Sequence, residues 1–277
     1  MKNYFKIKYI KILYNKIKNK TILNYLKKQY TQPTLKQTKI NNYKIAVFLN
    51  DGIGRQIYGL KQYEKVHTDF LKTIINKDWI CLDIGANIGY YTLLLSKLAR
   101  NGKIYSFEPN STNFQLLNLN VYINDFQNVI TNQIALSNEN NYQNFKITKD
   151  SAFASFKNTE RSEVINTVKV KTKKFDDYVR EKGIEKIDFI KIDVEGAEKL
   201  VLDGAQNVLD SLRPKIILAE LCEDNLRPFN ANKESIINFL KNLNYSPFNL
   251  SNNKLTLNVQ TKSQDIYFVH QSYLDQI

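Results

Sequence analysis

The residues best able to do chemistry in this 277-residue chain are acids and glycines placed at the ends of apolar runs. In WICLDIGANIGYYT (79–92) an apolar run ends in Asp83, and Gly85 and Gly89 follow with Ala86 and Asn87 between them. This reads as strand, turn and helix. Glycines at 85 and 89 let the backbone turn sharply and approach a ligand without Cβ clashes. The N–H groups at the start of the following helix favour an anionic group, whereas Asp83 at the strand end favours a cationic one. A ligand carrying both a carboxylate and an ammonium satisfies the pair, which suits an amino-acid cofactor better than a pyrophosphate. KIYSFE (103–108) predicts a second strand that ends in an acid, and Pro109 stops it. Glu108 lies 23 residues beyond Gly85, close to the distance at which a Rossmann-type second strand presents a carboxylate to ribose hydroxyls. The glycines do not spell G-x-G-x-x-G, because Asn87 stands where that fingerprint has its second glycine. An NAD-dependent oxidoreductase is therefore the weaker reading. The alternative for Gly85, Asn87 and Gly89 is a turn serving only the fold, with Asn87 as a local helix cap.

DFIKIDVE (188–195) predicts a strand running into two acids. Side chains two apart on a strand share a face, which would aim Asp193 and Glu195 together into the crevice beyond the strand ends. There they would serve as a general base, an anchor for an acceptor hydroxyl, or a contact to the cofactor's ammonium. The competing reading has Asp193 or Glu195 capping the helix that starts near Gly196, with Glu198 complementing its dipole. Glu220, closing KIILAE (215–220), is a weaker acceptor-side candidate. His67 reads as structural or exposed and stays outside the site. No metal ligand set is expected: Cys81, Cys222, His67 and His270 are too dispersed for a Cys/His zinc cluster.

The elements that must position these residues alternate. Strands are predicted at 78–83, 103–108, 128–134, 187–193 and 215–221, and helices near 88–100, 111–123, 196–204 and 232–243. Two further strands, 244–250 and 265–270, are expected to close the sheet as a pair joined by a polar loop at 251–263. Such alternation predicts an α/β fold with a mostly parallel seven-stranded sheet, helices on both faces and a closing antiparallel strand pair. Short alternating pieces between Ser137 and Lys174 predict a β excursion above the sheet. No internal repeat is evident.

The net charge of +13 is concentrated at one end. Residues 1–50 hold 12 lysines and no acid, so the remainder is almost neutral. This divides the chain into a polybasic arm, 1–50, and a catalytic body, 51–277. The neutral body offers no electrostatic case for nucleic-acid binding. The arm's apolar residues do not gather on one helical face, which argues against a membrane-surface helix. A lysine-rich extension packed on the body is the leading reading, and a peripheral contact with an anionic membrane or polymer is the minority one. No apolar run is of transmembrane length, the basic N-terminus without a continuous apolar segment is not expected to be a secretory signal, and both cysteines fall in predicted strands. A cytoplasmic protein with buried reduced thiols is expected.

DIGANIGYYT (83–92), YSFEP (105–109) and DFIKIDVEGAE (188–198) together resemble the FkbM family of S-adenosylmethionine-dependent methyltransferases. DGIGRQIY, the Tyr63-Glu64 pair, IALS (134–137) and DIYFVH (265–270) extend the resemblance more loosely over 51–270. It implies a Rossmann-like methyltransferase fold and S-adenosylmethionine as cofactor. It also implies that Asp83 and Gly85, Ala86, Asn87 and Gly89 hold the methionine part, while Glu108 accepts both ribose hydroxyls. The loop at 132–137, with Ala135, is placed beside the adenine, and Asp193 and Glu195 fall on the catalytic side. The implied reaction is methyl transfer to a hydroxyl of a sugar, glycan or other small acceptor. A cofactor-binding or membrane-binding module without turnover is the rival class.

Overall fold

The computed structural model describes residues 35–257 and 263–277. A hairpin of β1 (Leu35–Ile40) and β2 (Tyr43–Phe48) opens it, followed by α1 (Gly52–Leu60) and α2 (Lys65–Ile74). Next come β3 (Ile80–Ile84), α3 (Tyr90–Leu98), β4 (Lys103–Phe107), α4 (Ser111–Ile123) and β5 (Val129–Asn132). The excursion supplies β6 (Ala135–Ser137), β7 (Asn141–Thr148) and β8 (Val164–Lys174), and α5 (Phe175–Lys182) returns the chain to the main sheet. The second half holds β9 (Phe189–Ile192), α6 (Glu198–Asp203), α7 (Gln206–Ser211), β10 (Ile216–Glu220), α8 (Glu223–Leu226) and α9 (Lys233–Asn242). Strands β11 (Tyr245–Ser251), β12 (Lys254–Thr256) and β13 (Asp265–His270) follow.

The main sheet has the order β12-β11-β13-β10-β9-β3-β4-β5. Its members from β10 to β5 pair in parallel, and β13 joins β10 and β11 antiparallel. The sheet therefore has eight strands rather than the expected seven. Asn252 and Asn253, both at positive φ, turn the chain into the extra strand, which was expected as loop. Strand β3 is flanked by β4 on one side and β9 on the other. The chain reverses direction across the sheet there, and in open α/β sheets the crevice at such a switch point takes the ligand.

Period-two alternation explains why the central strands are continuous apolar runs. Ile216 and Leu218 of β10 enter one core layer, while Ile217 and Ala219 enter the other. Cys81 and Leu82 of β3 divide in the same way. Both cysteines are free and buried.

The arm boundary drawn at residue 50 needs correction. Tyr43, Ile45, Val47 and Phe48 belong to the same core as Leu93 and Phe189. Asn120, fully buried in α4, accepts from the Ala46 N–H at 2.7 Å and donates to the Ala46 and Ile88 carbonyls at 3.1 and 2.8 Å. The hairpin is thus fastened to the glycine loop. Lysine counting hid this because Lys44 sits on the exposed face of an otherwise buried strand. The earlier part of the arm, with the readings made on it, lies outside the described residues.

Candidate active site

The glycine loop is held from below and from the side. Gly85 has φ +83°, and a Cβ there would stand 1.7 Å from the Asp193 carbonyl oxygen. Only glycine lets the loops after β3 and β9 touch. Gly85 and Ala86 donate their N–H groups to the Phe107 carbonyl at 3.0 and 2.9 Å. The Asn87 N–H donates to Glu108 Oε2 at 2.9 Å, and the Asn110 N–H donates to Oε1 at 2.7 Å. Glu108 is thereby pinned through one backbone bond per oxygen, and each oxygen keeps capacity for a further donor. Burial pushes its carboxyl up to about 7, against the pull of those two backbone bonds.

Asn87 does not act as a helix cap. Gly89 occupies the N-cap of α3, while Asn87 takes φ +48° and leaves its buried Oδ1 without a partner. Asp83 sits deeper than expected. It is fully buried, accepts from Thr92 Oγ1 at 2.6 Å, and faces Lys191 across the β3–β9 register. Its Oδ1 has no partner, and the side chain does not line the cleft. Burial raises the Asp83 carboxyl, with Lys191 and Thr92 opposing.

The structure brings Asp193, Glu195 and Glu220 together, with one oxygen from each within 4.8 Å of the others. The reason differs from the strand-face expectation. Strand β9 ends at Ile192, and Glu195 reaches the group from a left-handed turn with φ +53°. Neither acid caps α6, whose N-cap residue is Ala197. Glu198 takes up the loop's N–H groups instead, accepting from Val194 at 3.1 Å and Gly196 at 3.2 Å. Lys191 donates to Asp193 Oδ2 at 2.8 Å. Burial alone would lower the Lys191 ammonium, but Asp193, Asp83 and Glu64 outweigh it and hold it charged. Glu195 Oε2 accepts from Arg161 Nη1 at 3.0 Å and Asn225 Nδ2 at 2.7 Å. Burial and then the Asp193 charge raise the Glu195 carboxyl. The Asp193 charge, burial and Glu195 push Glu220 far above the carboxylate range.

Two walls of the cleft carried little signal in the sequence. Glu64, at the start of α2, accepts from the Tyr91 hydroxyl, and beside it Tyr63 packs edge-on against Tyr90 at 5.0 Å. The tip of the excursion forms the other wall. Asp51 Oδ2 accepts from the Ser151 N–H and hydroxyl, Asp150 Oδ2 accepts from the Gly52 N–H, and the Ser155 hydroxyl donates to the Glu195 carbonyl. Arg161 lies over the Phe153 ring at 4.2 Å. The alternating pieces of the excursion announced its strands, but nothing in their spacing announced Arg161. His67 pairs with Tyr267 and Asp265 and does not line the cleft.

All of this encloses a cleft of about 310 Å³, lined by the glycine loop, Glu108, Ala135, the three acids, Tyr63 and the tip of the excursion. The cleft lies at the switch point of a Rossmann-like sheet, where open α/β sheets bind their ligands, with an acid cluster beside it. The chain belongs to the FkbM methyltransferase family, whose model, the methyltransferase FkbM domain, matches residues 83–247. It is similar to methyltransferase sdnD of Sordaria araneosa, with 26% identity over 201 residues, covering 60% of this chain and 76% of that protein. The 2-O-methyltransferase NoeI of Sinorhizobium fredii is 27% identical over 165 residues, 54% of this chain and 66% of that one. The hexuronic acid methyltransferase AglP of Haloferax volcanii is 31% identical over 144 residues, 51% of this chain and 56% of that one.

S-adenosylmethionine is the methyl donor this membership brings, and the residues present fit it. Glu108 has free acceptor capacity for two hydroxyls, the Gly85 turn gives close backbone access, and the unpartnered Asn87 Oδ1 lies buried in the same loop. Among the described residues no helix is long and apolar enough to cross a membrane.

Proposed function

We propose that this chain is an O-methyltransferase acting on a hydroxyl of a sugar or glycan-type acceptor. The observation that carries the reading is the placement of Glu108 and the Asp193, Glu195 and Glu220 group in one cleft, on opposite sides of β3. When bound, S-adenosylmethionine supplies a sulfonium methyl, so that an O–CH₃ bond forms as the S–CH₃ bond breaks and a neutral thioether is left. The protein's main contribution is then to hold the two reactants in line, which can lower a barrier by roughly 7–11 kcal/mol. Glu108 accepts the ribose hydroxyls. Ala86, Asn87 and Ala135 line the cofactor's space, and Asp83, from beneath, accepts from Thr92 and faces Lys191 across the sheet. On the other side of β3, Asp193 takes the proton lost by the acceptor hydroxyl, and Glu195 holds the acceptor in place. The names of two relatives, a 2-O-methyltransferase and a hexuronic acid methyltransferase, support a hydroxyl-bearing, sugar-type acceptor. So does the tip of the excursion, which narrows the cleft with Phe153 and Arg161. The test is incubation of the chain with methyl-labelled cofactor and a panel of glycosides. Label on a sugar oxygen is expected; label only on nitrogen or carbon acceptors would overturn the O-methyl assignment.

A further inference from the structure

We infer that Asn113 is a specificity-determining residue of the cleft, whose side-chain amide donates to a ribose hydroxyl that Glu108 holds through its proton. The role rests on the methyltransferase reading, because the ribose is that cofactor's. Asn113, Leu117 and Asn120 fall at i, i+4 and i+7 on α4, and so on one face of the helix. That face lies against the glycine loop. A Cβ at Gly89 would stand 2.5 Å from Leu117 Cδ1, and Asn120 donates to the Ile88 carbonyl at 2.8 Å. One turn before Leu117 the same stripe reaches the cleft with Asn113, which lines it together with Asn87 and Glu108. The start of the helix is fixed there as well. The Asn110 N–H donates to Glu108 Oε1 at 2.7 Å, and Asn110 Oδ1 caps α4 by accepting from the Thr112 N–H at 3.0 Å.

Asn113 is 4% exposed, yet its carboxamide makes no hydrogen bond among the described residues. Buried polar groups are rarely left without a partner. Asn87 Oδ1 and Asn110 Nδ2 also lack partners, but both are closed to solvent. The Asn113 amide is not closed off, and the cleft is what it lines. Packing alone does not account for an amide there. An apolar side chain would fill the same space without the cost of an unpaired donor and acceptor.

The chemistry of Glu108 says what the amide meets. A carboxylate only accepts, so it takes the protons of two hydroxyls and leaves their oxygens as acceptors that need donors. Lys191 and Arg161, the cations lining the cleft, already donate to Asp193 and Glu195. Asn113 offers an unengaged NH₂ group beside Glu108. A hydroxyl met by an acceptor and a donor is read at both its proton and its oxygen. A site built in this way rejects an analogue lacking the hydroxyl, because its buried polar groups are then left unpaired.

The test is calorimetry with S-adenosylhomocysteine and its 2′-deoxy and 3′-deoxy forms. Wild-type chain should bind the parent more tightly than either analogue. Asn113→Ala should weaken the parent roughly three- to tenfold and leave the affinity for one analogue unchanged, the one lacking the hydroxyl that the amide meets. Asn113→Asp keeps the shape, suits the first turn of α4 and puts an acceptor where the donor stood. It should melt as wild type and weaken the parent at least as much, so it decides the matter if the alanine variant does not fold. Gln115→Ala, on the exposed side of α4, should change nothing. Unchanged affinity for the parent in the Asn113 variants, or equal weakening of all three ligands, overturns the assignment and leaves the methyltransferase reading standing. Wild-type chain that binds none of the three overturns both.

Discussion

Glu108 links the sequence, the geometry and a measurable pH dependence. Its two backbone bonds orient it, and its removal takes a charged acceptor away from two hydroxyls. Hydrogen bonds to charged groups are worth roughly 1.5–3 kcal/mol each. Glu108→Ala should therefore weaken S-adenosylhomocysteine binding at least about tenfold, and unchanged affinity by calorimetry would remove it from the site. Burial holds its carboxyl at about 7 against an ordinary 4.5. A folded pKa above the unfolded one favours the protonated form. The resulting stability is present below pH 4.5 and lost as pH rises through about 7. The ionised carboxylate is the better acceptor, so cofactor affinity should rise between about pH 6 and pH 8. Glu108→Gln should flatten that rise, and a flat wild-type profile would contradict the assignment. Asp193→Asn tests the proton acceptor. Lys191 keeps Asp83 and Glu64 as neighbours, so the melting temperature should change little while turnover falls on the order of 10²–10⁴-fold. Normal turnover in this variant would move the base to Glu195.

At the scale of elements, the hairpin β1–β2 changes what a truncation should do. The buried amide of Asn120 ties Ala46 to Ile88 in the glycine loop, so the hairpin supports the cofactor site from behind. Deleting residues 1–34 should leave cofactor affinity close to wild type. Deleting residues 1–50 should destabilise the body and weaken cofactor binding, because Tyr43, Ile45 and Val47 leave the core. Equal behaviour of the two truncations, by thermal melting and calorimetry, would show the hairpin to be dispensable. The hairpin was legible in principle, since Ile45 to Leu49 is an apolar run, but the lysine tally drew the boundary past it. The parallel strands were legible because strands buried on both faces are unbroken apolar runs. Strand β12 was not, being three residues long in a polar turn region.

For the whole molecule, the cofactor half of the cleft was written in contiguous motifs, whereas the acceptor half showed its acids Asp193, Glu195 and Glu220 at strand ends but not how they and Arg161 come together. Gly85, Asn87 and Glu108 come from two neighbouring strand ends, whose spacing along the chain encodes their proximity. Glu64, Arg161, Asp193 and Glu220 line one cleft only because β9 lies between β3 and β10 and the excursion folds back onto Asp51. Lys191 was inside a recognised motif, yet its role depends on Asp83 across the register and on Asp193. The charge distribution belongs to this scale too. The lysine-rich start should confer any salt-sensitive attraction to anionic vesicles, so the 1–34 deletion should abolish it; vesicle binding by the deleted chain would place the contact on the body. The central claim, a methyltransferase cleft for S-adenosylmethionine, is tested most directly by calorimetry on the full chain with S-adenosylmethionine, S-adenosylhomocysteine and NAD. Binding of the first two at one site is expected, weakened by Glu108→Ala, with NAD at least about tenfold weaker; NAD binding as tight as or tighter than S-adenosylmethionine would contradict a methyltransferase cleft.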